Sequence, residues 1–455
     1  MPQIVLVVAV IAFVVAWRYS LEVALRWVYL PALLLSPNYY QWVIDGLPDP
    51  TFQDMAILPL GLLAVPLLLK WRFSITDVAV ALFAAGAVIS SWFREGQADA
   101  INQAYDIICQ AILPYCLGKI IIETSGLRRK YVQQIVLLLA IGLIPALWEA
   151  RMGVNVYQSG AGVFFPGVPA GWHIQSRHGL WRTAGPFGHA ILAGVMLASG
   201  ILLQRWLVTP ARTGIKGLWR IRWDSAGRTL LLLIGGSLLT QSRGPWVGLV
   251  LGLCCLAPAW SPRPLQAFAK MAVFLLIFGA ITYSVFDQYT EVNRFQAQSE
   301  EQSTAAYRRE LLDRYQVIAE RGGLWGWGRT NRPVVTGMES VDNWYLLVRL
   351  QYGLAGLYLF LSIQVLVIFR IYRSALTRYL ASPEERQFRF TLGAVLVSIS
   401  VALGTVYLGL QVFSFFFLLV GWAEACVLQR TPVQALEGEP VKISRRPFAF
   451  ERVLA

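Results

Sequence analysis

The sequence predicts an all-α, polytopic integral membrane protein, and three observations lead to that prediction. Of its 455 residues, 56% are hydrophobic and 14% are charged, whereas soluble globular proteins average about 25% charged residues. Apolar stretches close to the roughly 20 residues that span a bilayer recur along the chain. Basic residues gather in the short connections between these stretches. We therefore expect about 12–13 transmembrane helices.

The apolar segments give the order of the predicted helices. They lie at 2–16, 21–36, 55–70, 75–92, 102–122, 131–149, 187–208, 229–260, 265–286, 345–371, 389–407 and 410–427. Basic residues concentrate at 70–72, 128–130, 209–228 and 372–388 with its edges. By the positive-inside rule these connections are expected in the cytoplasm. They account for the net charge of +13, so we expect no nucleic-acid partner.

The segment 229–260 is predicted to form a hairpin rather than one helix. The basic connections 209–228 and 372–388 are both expected inside, yet three apolar segments lie between them. A helix of about 32 residues is about 48 Å long, which exceeds a bilayer core of roughly 30 Å. A break at 241–244 gives an even number of membrane crossings between the two basic connections, so that both lie inside. It places Arg243 at the outer tip of the hairpin, buried or facing a water-filled cavity.

Two long connections, 150–186 and 287–343, are expected on the opposite, periplasmic side. Residues 304–321 carry Ala305, Leu311, Leu312, Tyr315 and Ile318 at helical spacing, which predicts an amphipathic helix. These boundaries divide the chain into N-terminal transmembrane helices (1–150), a membrane core (151–430) and a cytoplasmic tail (431–455).

Both long connections contain arginine and no lysine. A guanidinium is planar, always charged and able to bind an anion in a bidentate manner, which suits phosphate or carboxylate. Arg177, Arg182 and Arg243 have no acidic residue close in the sequence, so they are candidate anion ligands. Arg308 is a further candidate, although it lies in the helix 304–321, where pairing with neighbouring acids is the alternative.

Several motifs accompany these arginines. Arg182-Thr-Ala-Gly-Pro-Phe-Gly-His189 opens an apolar segment, and a helix N-terminus there would add backbone donors for an anion; the alternative is an ordinary loop-to-helix junction. Asp342 stands where the long connection re-enters the membrane. It is a candidate general base for a hydroxyl or, equally, a helix N-cap, as is Asn343.

Taken in order, these motifs resemble the family of O-antigen ligases and Wzy-type polysaccharide polymerases. The resemblance covers roughly residues 180–360. It rests on an Arg-x-x-Gly element at 182–185, Ser-Arg-Gly at 242–244, Gly-x-Gly at 326–328 and, after the Asp-Asn pair, Gly-x-x-Gly at 353–356.

The resemblance implies a glycosyltransferase at the periplasmic face of the bacterial inner membrane. Its substrate would be an undecaprenyl-diphosphate-linked glycan. Membrane lipids would surround it, and its partners would be polysaccharide export or chain-length proteins. Arg182 and Arg243, followed by Arg177 and Arg308, would hold the diphosphate, so the transfer would need neither a metal nor a cofactor.

One position departs from the ligase pattern, because ligases have histidine where this chain has Asp342. The pair of Asp342 as base and Asn343 beside it favours a polymerase of exopolysaccharide or O-antigen. Gly326, Gly328 and Trp344 would contact the glycan. The alternatives are a ligase that transfers the glycan to lipid A–core and, in another class, a flippase for the same lipid-linked sugar. A transporter often shows inverted repeats, and none is visible in this sequence.

Overall fold

The computed structural model describes residues 2–44, 46–165, 173–177, 179–209, 224–290, 299–338, 340–377 and 382–428. These residues are predominantly helical, as predicted. The only strand pair among them is a short antiparallel ribbon of β1 (Ser176–Arg177) and β2 (Leu180–Trp181). The predicted tail 431–455 lies outside the described residues.

Every predicted apolar segment has a helical counterpart. In the first part of the chain the helices are α1 (Val5–Arg18), α2 (Leu21–Ala24), α3 (Leu30–Leu35), α4 (Phe52–Ala64), α5 (Ile75–Glu95), α6 (Gln97–Ile107), α7 (Leu113–Ile120), α8 (Arg128–Met152) and α9 (Val156–Phe164). Wider π-helical turns at Leu25–Tyr29 and Ile108–Ile112 join α2 to α3 and α6 to α7.

The second part of the chain contains the predicted hairpin. Its helices are α10 (Ala190–Val208), α11 (Ser225–Leu239), α12 (Arg243–Leu256), α13 (Pro264–Thr290), α14 (Glu300–Gly322), α15 (Trp344–Leu376), α16 (Pro383–Ala402) and α17 (Leu410–Leu428). Helices α11 and α12 divide the segment 229–260 at residues 240–242, which confirms the predicted break.

The described helices have the apolar surface of a membrane protein. Seven of them are long and apolar enough to cross a bilayer. In α13 none of the apolar window is buried, and Val273, Phe274 and Leu276 are more than half exposed. A helix that is apolar on every side is unfavourable in water and stable in lipid. The prediction of a polytopic membrane protein is therefore confirmed.

Ion pairs that are partly or fully buried hold the helices together at one end of the bundle, called here the basic end. Arg128 at the start of α8 contacts Glu385 at the start of α16 at 2.6 Å. Arg370 near the end of α15 donates two hydrogen bonds, of 2.9 and 3.0 Å, to the fully buried Glu424 of α17. Thr76 donates a third, of 2.7 Å, to the same carboxylate. Charges at this depth remain ionised only when they are paired.

Glycines bring several helices into backbone contact. An added Cβ at Gly421 of α17 would overlap the carbonyl oxygen of Tyr115 in α7, and one at Gly118 would overlap the carbonyl of Leu418. Gly248 gives α12 the same close approach to α16, because a Cβ added there would lie 2.5 Å from the Ser398 carbonyl oxygen. Small residues at such crossings increase van der Waals contact between helices in a membrane.

Helix α15 is broken at Gly353, where φ is +68° and ψ is −163°. The break leaves backbone groups without helical partners, and the turn 323–328 supplies them. Four backbone hydrogen bonds join the two segments: Trp327 N–H to Leu350 C=O (2.8 Å), Gly328 N–H to Gln351 C=O (3.0 Å), Leu354 N–H to Gly323 C=O (3.1 Å) and Ala355 N–H to Leu324 C=O (3.1 Å). The connection before Asp342 is thereby anchored to the membrane helix.

The predicted amphipathic helix is α14. Its buried side chains Leu311, Tyr315 and Ala319 pack with Val341 and Leu346 in a second apolar cluster. The helix is rotated slightly from the predicted face, because Leu312 is 43% exposed while Ala306 and Ala319 are buried. The Tyr315 hydroxyl donates to the Met338 carbonyl at 2.9 Å and so holds the residues before Asp342.

The glycine contact between α7 and α17 gives a test of this packing. In Gly421→Ala the new methyl group overlaps the Tyr115 carbonyl, so we expect a loss of about 1–3 kcal/mol of stability, measured as a lower melting temperature in detergent. The control is Gly235→Ala in α11, where an added Cβ meets nothing within 4 Å and helix propensity favours alanine. Equal melting temperatures for both variants would contradict the packing argument.

Candidate functional site

The site is built at the end of the bundle opposite the basic end, called here the loop end. Its centre is the tight turn between α11 and α12. Gln241 has φ of +49° and is the only non-glycine residue with positive φ among the described residues. Thr240 and Ser242 on either side direct their hydroxyls to the carbonyls of Ser237 (2.7 Å) and Thr240 (3.0 Å). These bonds fix the tip just before Arg243, the first residue of α12.

Arg182 holds this tip to the preceding connection. It is 4% exposed, and each of its side-chain nitrogens donates to a protein oxygen. The acceptors are the Thr240 carbonyl (3.2 Å), the Gln175 side chain (2.8 Å) and the Ser242 hydroxyl (3.0 Å). Arg182 therefore positions the hairpin through hydrogen bonds as well as contributing charge.

Glu149 positions the turn that follows Arg182. Its carboxylate is 1% exposed and accepts the backbone N–H groups of Ala184 (3.1 Å) and Gly185 (2.9 Å). The side chain of Asn155 donates both to Glu149 and to the Gly185 carbonyl, at 3.0 Å each. Sequence reasoning missed Glu149; the signal was an acidic residue at the end of an apolar segment, just before an arginine-containing connection.

Three helix N-termini meet around the turn between α16 and α17. The Trp344 N–H at the start of α15 donates to the carbonyls of Leu403 (2.9 Å) and Val406 (3.1 Å). At the start of α12, Gly244 lies so close to Thr405 that a Cβ would overlap its hydroxyl. His189, the N-cap of α10, packs edge-on against Tyr407 with ring centroids 6.1 Å apart. Helix N-termini carry partial positive charge and favour an anion.

The four predicted arginines and Asp342 share one electrostatic environment. Burial lowers the pKa of Arg182 to about 10; the charges of Arg177 and Arg308 act in the same direction and that of Asp342 opposes them. Burial also lowers the pKa of Arg308, again with Asp342 opposing and with Arg177 and Arg243 adding to the shift. Four positive charges less one negative charge leave a net +3. The cluster is therefore strongly cationic.

The exposure of these side chains leaves the cluster accessible. Arg182 is buried, Arg177, Arg308 and Asp342 are half-buried, and Arg243 is exposed at the hairpin tip. Arg177, Arg243 and Arg308 can therefore meet a ligand that approaches from the loop end, whereas Arg182 is buried.

The structure distinguishes Asp342 from Asn343. Asn343 is the N-cap of α15, and its side-chain oxygen accepts the N–H of Leu346 at 3.1 Å. Asp342 accepts a hydrogen bond from the Ser340 hydroxyl at 2.8 Å and interacts electrostatically with Arg182 and Arg308. A helix N-cap was the alternative role for both residues, and Asn343 is the one that has it. Asp342 is left to interact with the arginines.

The three predicted glycan contacts have packing roles in this structure. Trp344 is 7% exposed and packs against Phe360 and Phe413, with centroids 5.8 and 5.7 Å away. Gly326 meets the broken segment of α15, where a Cβ would lie 2.5 Å from the nitrogen of Gly353; one at Gly328 would lie 2.5 Å from the Glu95 carboxyl carbon. Close approach of backbone and side chains therefore explains these glycines, and the Trp344 ring faces the core.

Two further residues complete the site. The Nδ1 atom of His189 accepts the N–H of Ile191 at 3.1 Å, so His189 caps α10 in its neutral form. Burial and the charge of Asp342 raise the pKa of Tyr407. His178, which the sequence places near His189, lies outside the described residues. Within the described part of the chain, no group of three or more His, Cys, Asp or Glu residues is arranged to hold a metal ion.

Comparison with known proteins agrees with the resemblance drawn from the motifs. Residues 229–361 match the family model described as O-antigen ligase. The match contains the hairpin tip, α14, Asp342 and the break in α15, while Arg177 and Arg182 precede it. No curated protein matches the chain. The similarity to the O-antigen ligase family is thus confirmed for this region, and it supports a glycan-processing function in the membrane.

The hydrogen bonds of Arg182 predict that lysine cannot replace it. Lysine keeps the charge but cannot reach three acceptors in a fixed plane, and each lost bond to a charged donor costs about 1.5–3 kcal/mol. We expect Arg182→Lys to lower the melting temperature in detergent by several degrees, whereas Arg177→Lys, on the half-buried ribbon, leaves it nearly unchanged. An unchanged melting temperature for Arg182→Lys would contradict the positioning role.

His189 predicts a pH dependence of stability. Burial lowers the pKa of His189 to about 4, with Asp342 opposing and Arg182 adding to the shift. As pH falls below the usual value near 6.5, the unfolded chain takes up a proton that the folded chain excludes, so stability falls between about pH 6.5 and 4. We expect this fall to be smaller in His189→Asn, which keeps a capping side chain that does not titrate. Melting temperatures that fall equally with pH in the wild type and in His189→Asn would refute this role of His189.

Proposed function

We propose that this chain polymerises undecaprenyl-diphosphate-linked oligosaccharide repeat units into exopolysaccharide or O-antigen. The observation that carries the proposal is the arginine cluster, in which Arg182 and Arg308 interact with Asp342 and, together with Arg177 and Arg243, with one another. The family match supports a membrane glycan-processing enzyme. The basic connections favour a bacterial inner membrane, with the loop end at the periplasmic face.

In the proposed reaction, the arginine cluster binds the diphosphate of the donor. Arg177, Arg243 and Arg308 contact its oxygens, because these side chains are the accessible ones, and Arg182 holds the hairpin tip and adds charge. As the bond between the anomeric carbon and the diphosphate oxygen breaks, the negative charge that develops on undecaprenyl diphosphate is stabilised by the guanidinium groups. Positive charge from the chain itself makes the proposed transfer metal-independent.

Asp342 is the proposed general base. A hydroxyl of the acceptor glycan attacks the anomeric carbon and forms the new glycosidic bond, and the Asp342 carboxylate takes the hydroxyl proton. The leaving group departs with the electron pair of the broken bond. The hydrogen bond from Ser340 and the anchored connection before it orient this carboxylate.

A ligase is the second candidate, and the family description is the observation that favours it. It would use the same arginine cluster and transfer a finished glycan to lipid A–core. The aspartate at position 342, where ligases resembling this chain have histidine, favours the polymerase. A flippase is less well supported, because it requires cationic sites reachable from both sides, and at the basic end the half-buried Arg128 and Arg370 are paired with acids.

The test is polysaccharide output in a deletion strain complemented with wild type, Asp342→Asn or Arg243→Ala at equal membrane levels. Loss of a general base costs about 10²–10⁴ in rate, so we expect single repeat units to accumulate on the lipid carrier and long polymer to disappear. The control is Arg314→Ala, since Arg314 pairs with Glu310 at 2.6 Å on the outer face of α14.

The outcomes separate the candidates. Full-length polymer that stays on its lipid carrier would identify a ligase. Repeat units retained on the cytoplasmic side would identify a flippase. Wild-type polymer in both Asp342→Asn and Arg243→Ala would reject the proposed site.

A further inference from the structure

A second polar cavity opens at the loop end and contains none of the arginine cluster. Its volume is about 300 Å³. The walls come from the connection between α3 and α4, the end of α5, the start of α6 and the turn after Gly328. Its charged lining residues are Asp49, Asp54, Glu95, Asp99, Asp106 and Arg329.

This cavity, called here the acidic cavity, has the opposite sign to the arginine cluster. Five carboxylates and one guanidinium give a net charge of −4 when all are ionised. A diphosphate or any other anion is repelled from such a surface, whereas neutral hydroxyl-rich groups and cations are accepted. The two sites therefore select different parts of a substrate.

Three of the five carboxylates hold the walls of the cavity in place. Arg329 contacts Asp106 at 2.5 Å, Glu95 accepts the hydroxyl of Thr330 at 2.7 Å, and Asp54 forms a capping box with Thr51. These bonds connect the turn after Gly328 to α5 and α6, so the cavity has a defined shape. The other two carboxylates that line the cavity are Asp49 and Asp99.

Gln110 is the independent indication of a ligand. Its side chain is 5% exposed, lines the cavity and belongs to the π-helical turn Ile108–Ile112. None of the hydrogen bonds between described residues involves this amide. Its oxygen and nitrogen are not among the enclosed side-chain atoms that have no hydrogen-bond partner, so they open to the cavity that the residue lines. A ligand with both donors and acceptors matches this amide, and π-helical turns occur frequently at functional sites.

We propose that the acidic cavity binds one sugar residue of the glycan, either neutral or amine-bearing, and excludes anionic sugars. Sugar hydroxyls donate to the carboxylates, and the Gln110 amide both donates and accepts. A metal ion is not favoured, because the described His, Cys, Asp and Glu residues form no group of three arranged to hold one. The volume matches the lower range of small-ligand sites, about 300 Å³.

This inference rests on the proposed function in that it assigns the acidic cavity to the glycan and the arginine cluster to its diphosphate. Arg329 and Thr330 belong to the same connection that ends at Asp342. A sugar held beside them lies against the segment that carries the proposed base. The acidic cavity is thus a site for the glycan chain, separate from the leaving group.

The experiment is saturation-transfer difference NMR on the full-length protein in lipid nanodiscs. The probes are glucose, glucosamine, glucuronic acid and the oligosaccharide released by mild acid from the lipid-linked repeat unit. We expect signals from the neutral or amine-bearing probes, none from glucuronic acid, and roughly tenfold weaker binding in Gln110→Leu, which loses the amide. Asp99→Asn at the half-buried rim is a second variant, and Asp313→Asn on the exposed face of α14 is the control.

Each result decides the inference. No signal from any probe, equal binding of glucuronic acid, or unchanged binding in Gln110→Leu and Asp99→Asn with intact melting temperatures would overturn it. Arg243→Ala is expected to abolish transfer while the sugar signals persist. If wild type shows sugar signals that depend on Gln110 but no glycan transfer, the proposed function fails and the sugar site stands. If transfer occurs and the cavity variants bind normally, the sugar site alone fails.

Discussion

The structure depends on the requirement that backbone polar groups find partners where water is scarce. Long helices satisfy this requirement internally, and the loop end is shaped by the places where a helix ends or breaks. At Gly353 the break in α15 is filled by the turn 323–328 through four backbone hydrogen bonds. At the hairpin tip, Arg182 donates a hydrogen bond to the carbonyl of Thr240. Glu149 accepts hydrogen bonds from the N–H groups of Ala184 and Gly185 in the turn. The same bonds that complete the backbone also bring distant connections into one site.

Charge is divided between the two ends and, at the loop end, between two neighbouring sites. At the basic end, ion pairs such as Arg370 with the buried Glu424 join helices. At the loop end the arginine cluster carries a net positive charge, and the acidic cavity carries a net negative one. The proposed substrate likewise has two chemically different parts, an anionic diphosphate and a sugar chain. The connection 323–343 touches both sites, since it contributes Arg329 to one and Asp342 to the other.

Several residues have roles that their residue type alone does not reveal. Gly326 and Gly328 stand in a motif that suggests contact with a glycan, yet each allows a close approach within the protein. Trp344 follows the candidate base but packs between aromatic rings of the core. Asn343 caps α15, which leaves Asp342 beside the arginines. Motif residues thus divide into those that build the site and those that face it.

The sequence by itself determined the fold class, the helical segments, a hairpin break predicted at 241–244 and the amphipathic helix α14. These features follow from apolar periodicity and from the placement of charge, which act over one or two helical turns. It also singled out the arginines as candidate anion ligands, because arginine without lysine is unusual outside the basic connections. Only the tertiary structure decided that Arg182 clamps the hairpin, that Glu149 supports the turn beside it and that Gln110 lines a cavity. Those roles arise from contacts between residues far apart in the chain, and no local pattern specifies which distant carbonyl or carboxylate a side chain will meet.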